Sequence, residues 1–172
     1  MRILRFESVG GASGDMILAA LLGLGVDAGT LKARLASLNI GKFDLVPKPF
    51  ADRGLHGLQV TVDLPQGELH PHRNLGDIRG LIQAGGLTDK TRMLSIEVFE
   101  QLAEAEAHVH NTSPNEVHFH EVGALDSIID IVGSCAALEM LNVDAVSVGP
   151  LPLGCGTIQM EHGVLPNPPP AT

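Results

Sequence analysis

The densest run of side chains able to bind a metal or move a proton is HNTSPNEVHFHEVGALDSIID, residues 110 to 130. With VHFHE extended, the two-residue period of a strand sets His118 and His120 on one face and Val117, Phe119 and Glu121 on the other. Two imidazoles placed so closely form a metal clamp. Gly123 and Ala124 then turn the chain into a helix whose opening carries Asp126 and Asp130, spaced i and i+4 and therefore on one side. Imidazole mixed with carboxylate suits Zn²⁺, Ni²⁺, Mn²⁺ or Fe²⁺ and does not choose among them. Each residue also has a structural reading. Asp126 fits a helix cap, Ser127 with Asp130 fits a capping box, and either histidine alone fits a hydrogen-bonded core position. Five ionisable groups within thirteen residues favour a functional site, because such groups beside apolar elements are costly unless paired or bound.

A second candidate is GGASGDM, residues 10 to 16. It is no P-loop, since the Lys and following hydroxyl of GxxxxGK[ST] are missing. It is no nucleophile elbow either, because Asp15 stands where G-x-S-x-G needs its last glycine. Two readings remain open. Ser13 caps a helix with Asp15 in its first turn, or the free N–H groups around Gly11, Ser13 and Gly14 hold an anion. Glu106 and His110, i and i+4, either extend the first site or make a helix-end pair, the latter favoured for Glu106 and both open for His110; His56, His70 and His72 read as solvated turn or loop residues, with loose metal capture by His70-Pro-His72 left open. Cys135 and Cys155 have no metal-ligand spacing and read as incidental thiols.

These residues need elements to position them. Ile3 to Phe6 reads as a strand, and Met16 to Leu22, apolar on every face, as a helix buried on most sides. Asp27 or Thr30 caps a helix bearing Leu31, Leu35 and Leu38. Phe43 to Phe50, with two prolines, is an edge strand that pairs through a turn at Arg53-Gly54 with the alternating run Leu58 to Leu64. Residues 65 to 73 read as a mobile loop. Asn74, with Asp77, opens a short helix, and Thr88 a long one to about His110 with a buried stripe at Leu94, Val98, Leu102, Ala105 and Val109. A nearly all-apolar helix from Ser127 to about Leu141 and a strand at Ala145 to Val148 follow. The expected fold is α/β: a layered sandwich around a mixed sheet, with near all-apolar buried helices and a β-hairpin flap, as a single domain over residues 1 to 172.

Composition narrows the function. A formal charge of −9 leaves no excess of Lys and Arg to replace phosphate counterions, which argues against nucleic acid or an anionic membrane as partner. The start MRILRFESVG lacks the pattern of a signal peptide and no run reaches membrane-spanning length, so a cytoplasmic protein is expected. With five Phe and neither Trp nor Tyr, the core has to be aliphatic.

Three blocks in order along the chain carry a resemblance. They are Gly11-Ala12-Ser13-Gly14-Asp15-Met16, Ala103 to His110 with Val117 to Gly133, and Pro150 to Gly156 with His162-Gly163 and Pro166 to Thr172. Together they closely resemble the nickel-insertion (LarC) family of nickel-pincer nucleotide cofactor biosynthesis. The resemblance implies an enzyme, a nickel-inserting lyase, that places Ni²⁺ into pyridinium-3,5-bisthiocarboxylic acid mononucleotide with CTP hydrolysis, the product serving lactate racemase. It implies a metal site at His118, His120, Asp126 and Asp130, proton transfer by His120, Glu121 and Asp126, and an anion pocket at Gly11, Ser13, Gly14 and Asp15. In the family, CTP with Mg²⁺ or Mn²⁺ is assigned to a region beyond the last of these blocks, so a C-terminal region or a separate chain is expected to complete the enzyme, in a homo-oligomer. Glu7 stands where the family usually has Asp, and Gly10 where Ser is common. Two other functions use the same ligands: a non-catalytic nickel-binding accessory module and a metal-dependent phosphoester hydrolase.

Overall fold

A computed structural model of the chain describes residues 1–65, 73–119, 125–160 and 163–171, and for His118 and Met160 the backbone only. The expected mobile loop lies almost wholly outside the described residues. The first strand, β1 (Ile3–Phe6), leads through the glycine-rich turn into α1 (Gly14–Gly23), which ends where Gly25 takes φ +102°. Asp27 caps α2 (Ala28–Ala36), accepting from the Thr30 N–H at 2.8 Å. Strands β2 (Asp44–Asp52) and β3 (Leu55–Asp63) form the expected hairpin. Arg53 (φ 47°) and Gly54 (φ 85°) both occupy the left-handed region, which suits a two-residue turn between twisted strands.

After the two-residue strand β4 (Arg73–Asn74), α3 (Leu75–Ala84) opens with the capping box foreseen at Asn74 and Asp77. Thr88 caps α4 (Asp89–His110), accepting from the Thr91 N–H at 3.2 Å. β5 (His118–Phe119) pairs antiparallel with β4, and α5 (Leu125–Met140) follows. β6 (Ala145–Val148) runs parallel to β1, while β7 (Thr157–Met160) and β8 (Gly163–Pro166) form a second hairpin. The α/β class is as expected. The strands do not share one mixed sheet among the described residues; they pair two by two, since β4 and β5 are two residues long and β2 carries prolines that cannot donate to a further neighbour.

The core lies where α1 and α5 pack together, with α2, α3, α4 and the hairpin around them. It is aliphatic apart from Phe43, Phe99 and Phe119, the last two 6.2 Å apart between ring centroids. The stripe that α4 buries is Thr91, Ser95, Phe99, Ala103 and Ala107, offset from the larger apolar residues; Val98 and Val109 face solvent. Small side chains allow α4 to approach α5 closely, and the two hydroxyls are satisfied: Ser95 donates to the Thr91 carbonyl and Thr91 to Glu139. α1 buries Leu18, Ala19, Leu21 and Leu22 but leaves Met16 and Ala20 open, so its all-apolar sequence does not mean burial on most sides. No described helix is long and apolar enough to cross a membrane.

Candidate functional site

The first turn of α1 meets the second turn of α5, and their packing brings the two sequence candidates together. Gly14 makes this possible. A Cβ at that position would stand 2.7 Å from Asp130 Oδ2 and 2.8 Å from Asp130 Cβ, so only glycine lets the α5 carboxyl lie against the opening of α1. One turn further along, Gly133 meets Leu18 in the same way. Asp15 on α1 and Asp126 on α5 both face Asp130 electrostatically.

Asp130 is the perturbed group. Burial first, and then repulsion from Asp15 and Asp126, lift its carboxyl from 3.8 to about 6. Its Oδ1 is buried without a hydrogen-bond partner among the described residues. A half-buried carboxyl beside two like charges, one oxygen unpaired, takes a proton or a cation more readily than an ordinary aspartate. Asp126 is exposed and accepts from the Ser127 N–H at 2.8 Å. It lies within the first turn of α5, not before it, because the helix already includes Leu125. The capping pair read into Ser127 and Asp130 does not form either, since both are inside the helix.

The glycine-rich turn also differs from its cap reading. Ser13 occupies the cap position with an extended backbone, and its carbonyl accepts from Ile17 N at 3.0 Å, but its side chain caps nothing. The hydroxyl donates instead to Asp15 Oδ1. The preceding loop is closed by Ser8, whose hydroxyl donates to the Gly11 carbonyl and accepts from the Gly11 N–H, with Gly11 at φ +116°. Two hollows flank this turn. One, about 290 Å³, runs from Phe6 past Gly10 and Gly11 to Met16, Ile17 and Ala20. The other, about 270 Å³, lies between Asp15, Met16 and Ala19 of α1 and Leu58 and Val60 of β3.

His120, Glu121, Gly123, Ala124, His70, His72 and His162 lie outside the described residues, as does the His118 side chain. The burial of both Val117 and Phe119 agrees with the two-residue alternation expected there. Among the described residues no three His, Cys, Asp or Glu side chains gather closely enough to hold a metal ion. His110 pairs with Glu106 at 3.4 Å, as the helix-end reading expects. Cys135 is buried and Cys155 exposed, both as free thiols. The sequence reading expects the opening turn, with Asp15 at its lip, to face the VHFHEVGALDS block; the structure sets Gly14 against Asp130 in the helix that follows this block, and His120, on which that expectation turns, lies outside the described residues.

These features define an α/β protein in which two helix openings gather carboxylates beside a glycine-rich turn. The chain belongs to the nickel insertion protein family, whose model matches residues 4–172. It is similar to the pyridinium-3,5-bisthiocarboxylic acid mononucleotide nickel insertion protein of Akkermansia muciniphila, with 44% identity over 179 residues that cover 100% of this chain and 44% of that protein. The protein of the same name from Acetivibrio thermocellus is 44% identical over 178 residues, covering 99% of this chain and 44% of that protein. The chain thus spans less than half the length of these relatives. No solved structure gives a significant match.

Proposed function

We propose that this chain is the N-terminal part of an enzyme that inserts nickel into pyridinium-3,5-bisthiocarboxylic acid mononucleotide, the molecule named for its relatives. The observation that carries the reading is the close approach of Asp130 to Gly14, which unites the 125–130 segment with the GGASGDM turn. In this reading His118, His120, Asp126 and Asp130 receive Ni²⁺, with Asp15 adding negative charge. Forming a carbon–nickel bond from a ring C–H releases one proton; the carbon keeps the electron pair and His120, Glu121 or Asp126 takes the proton. The substrate phosphate is assigned to the Ser13 end of the turn, since the Gly11 N–H donates to Ser8 and the face of Gly14 is filled by Asp130. CTP hydrolysis with Mg²⁺ or Mn²⁺ is assigned to polypeptide outside these 172 residues, and delivery of the product to lactate racemase in the cytoplasm completes the proposal.

The test is to assay nickel insertion by the chain, supplemented with the remaining region of a relative, after His120→Ala or Asp126→Ala. Each is expected to lower metallation at least 100-fold while circular dichroism and melting stay as in the parent. Parental yield from both variants refutes the assignment. A second reading, an accessory module that only holds nickel, is favoured by one fact: the chain covers 44% of its relatives. Tight stoichiometric nickel binding without the pyridinium substrate supports the module, and weak binding that tightens with substrate supports the enzyme.

A further inference from the structure

The parallel pair β1–β6 has a core-facing side made by Leu4 and Phe6 on β1 and, by register, Val146 and Val148 on β6. Leu4 and Phe6 pack on the core, whereas Val146 is 47% exposed and Val148 52%. The cover supplied by the helices therefore stops over β1. On the same side, α1 turns Met16 and Ala20 away from the core; Met16 is 47% exposed, and both line the hollow that begins at Phe6. Phe6 thus lies between an apolar helix flank, across the hollow, and an apolar strand face, its register partner being Val148.

Parallel strands occur almost only in sheets covered on both faces, and two strands alone make a marginal sheet. Exposed apolar side chains gathered around one hollow and one strand face mark an interaction site. We infer that the surface made by the Met16–Ala20 flank of α1, Phe6 and the Val146–Val148 face of β6 seats an apolar-faced helix from the polypeptide that the relatives carry beyond their match to this chain. The length argument supports this occupant over others, because more than half of each relative lies outside the matched region. Ala20 is small enough for a neighbouring helix to approach to the usual 8–10 Å. The docked helix also walls the hollow beside Gly10 and Gly11, so that the glycine-rich turn faces an enclosed space. The inference depends on burial alone and stands whether or not the chain handles nickel.

The experiment uses a chimera in which this chain replaces the matched part of the Akkermansia muciniphila relative, compared with the chain alone. Backbone amides of residues 145–148 are expected to exchange hydrogen at least tenfold more slowly in the chimera. Val148→Glu and Ala20→Glu are expected to remove that protection in the chimera while leaving the melting temperature of the chain alone unchanged or higher. Should the chimera not fold, the remaining region is co-expressed as a separate polypeptide and co-purification is read, with loss expected for both variants. Equal exchange in the two proteins overturns the inference, as does co-purification that both variants leave intact. Self-association of the chain that Val148→Glu abolishes, without any effect in the chimera, assigns the surface to a second copy and overturns it as well.

Discussion

Replacing Asp130 by Asn is expected to make the protein more stable at neutral pH. The Asp130 carboxyl rises from 3.8 to about 6 in the folded chain, so ionisation is harder there than in the unfolded chain. Below the lower value the group is protonated in both states and costs nothing; above the higher it is charged in both, and the fold bears the full penalty. In between, the native state binds more protons, so this group's contribution makes stability fall as pH rises from about 4 to 6 and stay low above that. At full weight the shift corresponds to about 3 kcal/mol. The side chain is only half-buried, and screening reduces the figure to roughly 1–2 kcal/mol. Asn removes the charge. The assay is urea unfolding of both proteins in EDTA from pH 4 to 8. Asp27, Asp44, Glu116 and Glu139 have lowered values and add an opposing slope at the acid end, so the variant-minus-parent curve is the quantity to read. It should be near zero at pH 4 and reach its plateau by pH 7. A flat difference, or a variant less stable than the parent at pH 7.5, refutes the argument that buried like charge dominates at Asp130.

Gly14→Ala is expected to cost roughly 1–3 kcal/mol by overpacking, because the new methyl meets both Cβ and Oδ2 of Asp130. Adding Asp130→Gly should recover most of that cost in a double-mutant cycle, and additive costs would show that the contact is not the cause. Glu139→Gln is expected to destabilise by about 1–3 kcal/mol at pH 7. Burial opposes the Glu139 charge, but hydrogen bonds from Thr88 and Thr91 and the charges of Arg34 and Lys90 outweigh it. The contribution of Glu139 is present above 4.5 and lost as pH falls below it, so the gap between variant and parent in thermal unfolding should narrow as the pH drops below 4.5.

Elements whose signals are local were legible in the sequence. The Asn74–Asp77 capping box, the Asp27 cap and the Arg53-Gly54 hairpin turn depend on neighbouring residues, and all three formed as read. The buried stripe of α4 runs one position beside the expected one: it centres on Phe99, which the expected stripe omits, and takes in Thr91, Ser95, Ala103 and Ala107, whose small or hydroxyl side chains give no apolar signal in the sequence. The α1 helix failed similarly: an apolar sequence fixes no burial where a neighbour is missing on one side. At the site, the sequence marked Asp126 and Asp130 by spacing and Asp15 by its place in a turn. The sequence reading sets the opening turn facing the VHFHEVGALDS block, but spacing alone does not name the contact, because residues 14 and 130 meet only through the packing of α1 on α5.

That packing also explains why Asp130 and not its neighbours bears the electrostatic cost. Asp15 and Asp126 lie in the first turns of α1 and α5, where a negative charge gains about 0.3–1 kcal/mol from the helix dipole and the free N–H groups. Asp130 lies in the second turn of α5, beyond the reach of that effect, and is pressed against the opening of the other helix by the absence of a Cβ at Gly14. Asp130 therefore bears its burial and the repulsion of both neighbours without that compensation. A protein under selection for stability alone would place an amide or an apolar residue at position 130. On the proposed reading a divalent cation arriving at Asp130 offsets the repulsion there, so the strain at Asp130 becomes a difference in affinity between the cation-free and cation-bound states.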